Sequence, residues 1–306
     1  MLHLTAPAVN AARSSTPRLA IFITAVLLCL AACSPKHLII QEIANELAVQ
    51  GRAHEDDLIL AREASAFYLK LSESLLLEVP GNSKLSESVA TGFTQYAYAF
   101  VSFEAERIEA KDAKAAQALR ERAARLYLRA HRHAMAALEI AHPGFRKALE
   151  SSRPADWPQL RTDHLGLAYW AAASWGGLIA LSKDRPESVA DLPLAFRLAK
   201  LAYSRDPNYG QGSLASLMGS FESARAGGSS AQALAYFDQA IALGTPQSAG
   251  PLVAKAEAIS LPNGNRVEFE ALLRQALAVS VEQPDMQNAV MRERAQWLLG
   301  IADDLF

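Results

Sequence analysis

The hydrophobic positions of this chain repeat with a helical period over almost the whole length after His37. Leu60, Ala64, Phe67 and Leu71 follow one another at intervals of three or four residues, which places them on one face of a helix. Glycine and proline residues separate the periodic runs, and no run alternates convincingly with the two-residue period of a strand. The pattern therefore predicts an all-α protein of about twelve helices.

Residues 164–181 form a run that is apolar on all sides. A helix of this kind is typically buried inside a bundle, because it has no polar face to turn toward water. Its alanines and the pair Gly176 and Gly177 allow neighbouring helices to approach closely. Trp170 and Trp175 are five positions apart, so we expect them to point in different directions.

Small residues recur at a spacing that predicts degenerate helix-pair repeats. Ala195, Ala199, Ala202 and Pro207 have the spacing of the second helix of a tetratricopeptide repeat (TPR), where small side chains permit close packing and proline ends the helix. The same spacing starts at Ala130, at Ala233 and, without the proline, at Phe269. The first-helix signature of the repeat is missing, so an unrelated alanine-rich bundle is the alternative to a TPR-like α-solenoid.

The beginning of the chain has the pattern of an export signal. Arg13 and Arg18 precede an apolar run over residues 19–30, which is too short to span a bilayer and fits the apolar region of a signal peptide. Leu30, two alanines and Cys33 then resemble a bacterial lipobox, in which the cysteine is acylated. We therefore predict a lipoprotein signal peptide at 1–32, lipidation of Cys33, and one helical domain at 33–306.

Two acyl chains on Cys33 would anchor the protein stably in a membrane. Ser34 follows this cysteine, and in lipoproteins of this type an aspartate there retains the protein in the inner membrane. The resemblance therefore implies lipid anchoring in the outer membrane, facing the periplasm. An ordinary signal peptide with a chance cysteine, or a short anchor helix, is the alternative.

Composition and motifs favour a protein without catalytic chemistry. Apolar residues make up 51% of the 306 residues and the net charge is −2, which argues against intrinsic disorder and against a nucleic-acid partner. His131 and His133 are two apart on a helix and face different sides, so they do not chelate a metal. The chain has no phosphate-binding loop and no metalloprotease motif. The sequence predicts a non-enzymatic protein with no cofactor and no metal.

Two groups of side chains are candidates for binding. The aromatic residues Phe93, Tyr96, Phe100, Trp170 and Trp175 are candidates for the lining of a ligand site or channel, since tyrosine and tryptophan combine an apolar ring with a polar group. The alternative is an ordinary core.

A basic stripe is the second group. Arg122, Arg125, Arg129 and Arg132 follow a helical spacing and are candidates for docking an acidic partner or lipid headgroups. A solvated helix face, or salt bridges to neighbouring acidic residues, is the alternative.

The chain resembles the T component associated with tripartite ATP-independent periplasmic (TRAP) transporters, the TatT family. The resemblance rests on the lipobox, on a helix with the pattern Tyr-Trp-x-Ala-Ala-x-Trp-Gly, and on a repeat ending in Asp-Pro-x-Tyr-Gly. The matching residues are Tyr169, Trp170, Ala172, Ala173, Trp175 and Gly176, then Asp206, Pro207, Tyr209 and Gly210.

Membership of that family would imply a periplasmic lipoprotein with a TPR-like fold that forms homotrimers with a pore through each protomer. It would also imply a partner, the periplasmic solute-binding (P) component of a TRAP transporter, and a role in the passage of a small solute that is hydrophobic or an organic acid. The alternative function is a generic TPR-type envelope scaffold that handles no solute.

Overall fold

The structure, a computed structural model, describes residues 34–50, 57–244, 246–283 and 285–306. The predicted signal peptide and Cys33 lie outside these residues. The described residues fall in two units, with the boundary between Ile43 and Ala44. Helix α1 begins in the first unit and ends in the second, and all later helices belong to the second.

The described residues form helices and turns and contain no strand, which confirms the predicted all-α class. The α-helices are α1 (Ser34–Gln50), α2 (Leu58–Glu78), α3 (Ser83–Tyr96), α4 (Phe103–Ile108), α5 (Ala113–Ala141), α6 (Phe145–Glu150), α7 (Leu165–Ala180), α8 (Pro186–Val189), α9 (Leu192–Arg205), α10 (Ser213–Ala224), α11 (Ser230–Gly244), α12 (Gly250–Lys255), α13 (Arg266–Glu282), α14 (Met286–Gly300) and α15 (Ala302–Leu305).

Two π-helical segments interrupt the α-helical geometry. Ala97–Ser102 joins α3 to α4, and Ala256–Ser260 continues α12. A π-helical turn contains more residues than an α-helical turn, so it rotates the side chains that follow relative to those that precede it. Such segments are often found next to functional sites.

Helix pairs stack in chain order, as the small-residue pattern predicts. Helix α5 packs on α3, α9 on α7, α11 on α10, and α13 on α12. The pattern positions Ala195, Ala199 and Ala202 of α9 are fully buried, as are Ala233 and Phe237 of α11. Because alanine adds almost no bulk, the backbones of paired helices can pack closely at these positions. The structure therefore confirms a TPR-like array of helix pairs.

Helix α2 shows that periodicity alone does not identify which face of a helix is buried. The helix forms as predicted, but Leu60, Phe67 and Leu71 on its periodic face are exposed. A different part of its surface packs against the body through Leu69 and Leu76, which are buried. None of the helices that the structure describes is both long and apolar enough to cross a bilayer.

The turn before α10 approaches α11 closely, which explains why the turn ends in glycine. The turn Tyr209–Gly212 has positive φ at Gly210, Gln211 and Gly212. A Cβ atom at Gly212 would lie 2.4 Å from the carbonyl oxygen of Ala240. Glycine is therefore required there both by the backbone conformation and by the contact between this turn and α11.

Candidate functional site

A cavity of about 340 Å³ lies among six helices of the second unit: α3, α5, α7, α10, α12 and α14. This volume falls within the range of small-molecule sites, roughly 300–1,000 Å³. The residues in its wall are aromatic, aliphatic or uncharged polar. They include Tyr98, Tyr127, Tyr169, Trp170, Ala173, Gly177, Ser213, Ser216, Leu217, Ser220, Gln95, Gln287, Val290 and Met291.

Helix α7 contributes one of its faces to this wall. Tyr169, Trp170, Ala173 and Gly177 line the cavity, and their spacing brings them to one side of the helix. Tyr169 and Trp170 are in edge-to-face contact, with ring centroids 4.8 Å apart. The side of α7 that carries Tyr169 therefore faces the cavity.

The residues of the Asp-Pro-x-Tyr-Gly pattern help to position this wall. The side chain of Asp206 accepts a hydrogen bond from the backbone N–H of Asn208 at 3.0 Å, which stabilises the turn. The ring of Tyr209 then packs 5.6 Å from the ring of Tyr169. The hydroxyl of Tyr169 is hydrogen-bonded to Ser213, and burial raises the pKa of Tyr169 to about 12.

Gly177 makes room for another tyrosine of the wall. A Cβ atom at this position would lie 2.7 Å from the ring of Tyr127 on α5. The absence of a side chain therefore lets the Tyr127 ring lie directly against α7. Burial raises the pKa of the Tyr127 and Tyr98 phenols above the ordinary value, so both are protonated at neutral pH.

Trp170 is in the cavity wall, and the four other aromatic candidates lie outside it. Trp175 is buried in the core, where its Nε1–H donates to Asp191 Oδ2 at 3.3 Å. The Trp175 ring also lies 4.5 Å from the ring of His131. The two tryptophans of α7 therefore point to different surroundings, as their spacing predicts.

The three aromatic candidates of the α3 region pack against other side chains. Tyr96 and Phe100 are in edge-to-face contact, with ring centroids 5.4 Å apart. Phe93 packs against His133 and Arg129 of α5. These three residues are therefore part of the buried core, which was the alternative to a ligand site.

The orientation of α3 explains this distribution. The helix turns its aromatic residues toward other helices, and Thr94 and Gln95 toward the cavity. Tyr98 and Ala99, which follow in the π-helical segment, also line the cavity. A purely α-helical period across residues 93–103 does not anticipate a π-helical turn, and so it does not single out Tyr98.

Helix α10 supplies wall residues that the sequence reasoning missed. Ser213, Ser216, Leu217 and Ser220 line the cavity. Their three- and four-residue spacing is visible in the sequence as a serine stripe beside an apolar one. Another face of α10 is buried in the core through Leu214 and Met218.

The four arginines of the basic stripe lie on α5 but differ in their contacts. Arg122, Arg125 and Arg132 are exposed. Arg129 forms a bidentate ion pair with Glu73 of α2, which also contacts His133 and Lys70. Burial raises the pKa of Glu73, but these hydrogen bonds outweigh burial and hold the pKa at about 2. Arg129 therefore fastens α5 to α2, and three arginines are left facing solvent.

Comparison with known proteins identifies the family to which this chain belongs. Residues 54–306 match the family described as TRAP transporter T-component. An uncharacterised protein of Treponema pallidum (strain Nichols) is 28% identical over 307 aligned positions, which cover 92% of this chain and 94% of the relative. Among solved structures, a thermophilic TPR protein from Thermus thermophilus has a TM-score of 0.48 at 18% identity, covering 85% of this chain and 98% of that one.

Proposed function

Because this chain belongs to the TRAP transporter T-component family, and is thus an accessory component of such a transporter, we propose that it docks the periplasmic solute-binding component and assists the passage of a small solute. The observation that carries the proposal is the cavity bounded by α3, α5, α7, α10, α12 and α14. A cavity lined by aromatic side chains and a few polar groups is the usual form of a small-molecule site.

The proposed role is non-enzymatic. The cavity wall offers phenols, serines and amides, and among the described residues it contains no carboxylate, imidazole, amine or thiol. General acid-base catalysis at neutral pH needs a group that titrates near that pH. The raised pKa values of Tyr98, Tyr127 and Tyr169 move these phenols away from it. Binding and release of solute are what this wall supports.

The test of solute handling is recovery of a molecule from the cavity. Protein purified from cells would be extracted with organic solvent and the extract analysed by mass spectrometry. We expect a small molecule in stoichiometric amount, and we expect its loss in the Ala173→Leu variant, whose side chain would extend into the cavity. Ala180→Leu, on the exposed end of the same helix, is the matched control. An extract without any such molecule would favour the scaffold function.

For the docking surface we propose Arg122, Arg125 and Arg132, with Arg129 holding the helix in place. Changing the three exposed arginines to glutamate should abolish co-purification with the solute-binding component, because complementary charge then becomes repulsion. The control changes three other exposed cations, Lys147, Lys183 and Lys200, to glutamate, which alters net charge equally. Equal co-purification of both variants would exclude the stripe as the docking surface.

We also propose that Cys33 is acylated and anchors the protein in the outer membrane, and that the protein is a homotrimer. The support is the lipobox and the family membership, which implies an envelope location. Cys33→Ser should move the protein from the outer-membrane fraction to the soluble fraction. Light scattering of the detergent-solubilised protein should give three times the protomer mass. A soluble wild type, or a monomer, would contradict the respective proposal.

A further inference from the structure

The wall of the cavity has no side chain that could neutralise a charged solute. Among the residues that the structure describes, no Asp, Glu, Lys, Arg or His lines it. A carboxylate or ammonium group that moves from water onto this wall gives up part of its hydration and gains no partner of opposite charge, which is unfavourable. The wall therefore disfavours ionised groups, whatever apolar part the solute carries.

The same wall is well supplied with neutral hydrogen-bonding groups. Tyr98 and Tyr127 are protonated phenols, and neither hydroxyl makes a hydrogen bond within the described part of the chain. Ser216 and Gln287 add a hydroxyl and an amide. Hydroxyl and amide groups donate and accept hydrogen bonds without carrying charge. A solute with a hydroxyl or an amide group could thus form its hydrogen bonds here.

We expect an ion cluster around the buried Arg294, which contacts Tyr98, to add to the discrimination against anions. The guanidinium of Arg294 lies 5.5 Å from the centroid of the Tyr98 ring. Its Nε and Nη2 donate to Glu257 at 3.0 and 2.6 Å, and Nη2 also donates to Glu106 at 2.9 Å. One guanidinium thus faces two carboxyl groups. Its remaining nitrogen, Nη1, is enclosed in the protein, and Arg294 is not part of the cavity wall.

This cluster cannot act as a receptor for an organic acid. With both glutamates ionised, the cluster has a net negative charge, which would repel a carboxylate in the cavity. Burial raises the pKa of Glu106, so in the state with Glu106 protonated the cluster is neutral and still offers no free cation. In neither state does Arg294 supply an attractive partner for an anionic solute.

We propose that the cavity accepts an uncharged amphipathic solute, with an apolar body and a hydroxyl or amide group, and excludes carboxylates. The inference rests on the proposed function in taking this cavity as the solute site. The apolar body would contact Trp170, Leu217 and Met291, and the polar group would bond to the phenols or serines of the wall. Of the two solute classes that the family resemblance leaves open, the wall chemistry favours the uncharged one.

The test uses probes that share one alkyl chain and differ in the end group: octan-1-ol, octanamide and octanoate. Binding to the full chain would be measured by isothermal titration calorimetry at pH 8, where octanoate is ionised. We expect the alcohol and the amide to bind, and octanoate to bind at least tenfold more weakly. Ala173→Leu should weaken binding of the alcohol at least tenfold, and Ala180→Leu should leave it unchanged.

The outcomes separate the inference from the proposed function. Octanoate that binds as tightly as octan-1-ol, with both lost in Ala173→Leu, would overturn the inference and leave the cavity as the solute site. If no probe bound, or if Ala173→Leu changed nothing, the cavity would not be a solute site and both proposals would fail.

A charge variant tests the role of the Arg294 cluster separately. Glu257→Gln removes one carboxylate next to Arg294, so octanoate should bind several times more tightly to this variant, and octan-1-ol should bind as before. Thermal unfolding would confirm that the variant is folded. Unchanged octanoate binding to a folded variant would overturn the assignment of anion exclusion to this cluster.

Discussion

The two faces of helix α7 have similar composition but different surroundings. One face carries Tyr169, Trp170, Ala173 and Gly177 and borders the cavity. The other face carries Trp175, whose ring is buried against His131. Aromatic and small residues occur on both, so residue type does not distinguish a cavity-lining surface from a packing surface. The distinction comes from which neighbouring helices reach each face.

The largest difference between the faces should appear when each tryptophan is truncated. Trp175→Ala removes a ring from a filled core and should lower the free energy of unfolding by about 3–5 kcal/mol. Trp170→Ala enlarges a space that is already open, so its cost should be about 1 kcal/mol. Urea unfolding followed by circular dichroism measures both. Equal losses in the two variants would contradict the separation into a core face and a cavity face.

His131, which packs against the core face of α7, should also make the free energy of unfolding depend on pH. Burial lowers the pKa of His131 to about 4, although its Nδ1 is 3.1 Å from the carbonyl oxygen of Ala171. Between pH 6.5 and 4 the unfolded chain binds a proton that the folded chain does not, so this residue makes stability decrease as pH falls through that range. The loss from pH 7 to pH 5 should be about 2 kcal/mol.

Urea unfolding at the two pH values checks this expectation, with His131→Gln as the comparison. The variant lacks the titrating group, so its stability should change less between pH 7 and pH 5. An NMR titration of the folded protein offers a direct check, because the His131 ring should titrate near pH 4. Titration near pH 6.5 would show that this side of α7 is hydrated and not a sealed core.

A smaller effect is expected where α7 meets Tyr127. Gly177→Ala would place a Cβ atom 2.7 Å from the Tyr127 ring, so the ring must move. The strain should exceed the gain from replacing a helical glycine, for a net loss of about 1 kcal/mol in thermal or urea unfolding. Gly300→Ala, which has open space around it, is the control and should be neutral or stabilising. A stabilised Gly177→Ala would mean that Tyr127 is free to swing into the cavity.

The smallest effect concerns the exposed face of α2. Phe67→Ser should change the free energy of unfolding by less than about 0.5 kcal/mol, since the ring is already exposed to solvent in the protomer. The buried Leu69→Ala, two residues later, should cost about 2–4 kcal/mol and serves as the contrast. A large loss in Phe67→Ser, measured by urea unfolding at low protein concentration, would show that this face is covered within the protomer.

Much of the fold could be predicted from local patterns. Helical periodicity identified the helical class, and the alanine spacing in α9 and α11 identified helices that pair closely, because only small residues tolerate such an approach. The same reasoning could not say that Leu60 and Phe67 face solvent. An apolar period shows that a helix has an apolar face, but which neighbour covers that face depends on contacts distant in sequence.

The candidate site was predicted in part. Trp170 was a candidate and lies in the wall, whereas Tyr98 and the serines of α10 were not candidates. Tyr98 lies in a π-helical segment, so its side chain does not point in the direction that an α-helical period predicts. Ser213 and Ser216 look like ordinary polar residues of a helix until α7 and α14 close the space in front of them.

The sequence by itself determined the helical class, the helix-pair pattern and the family, because each depends on residue types at short spacing. Only the tertiary structure decided that Trp170 borders a cavity and Trp175 a core, and that Arg129 is held by Glu73 while Arg122 is exposed. It also brought Arg294 together with Glu106, which is 188 residues away. The physical reason is that burial and charge pairing depend on distances in space, which the order of residues along one helix does not specify.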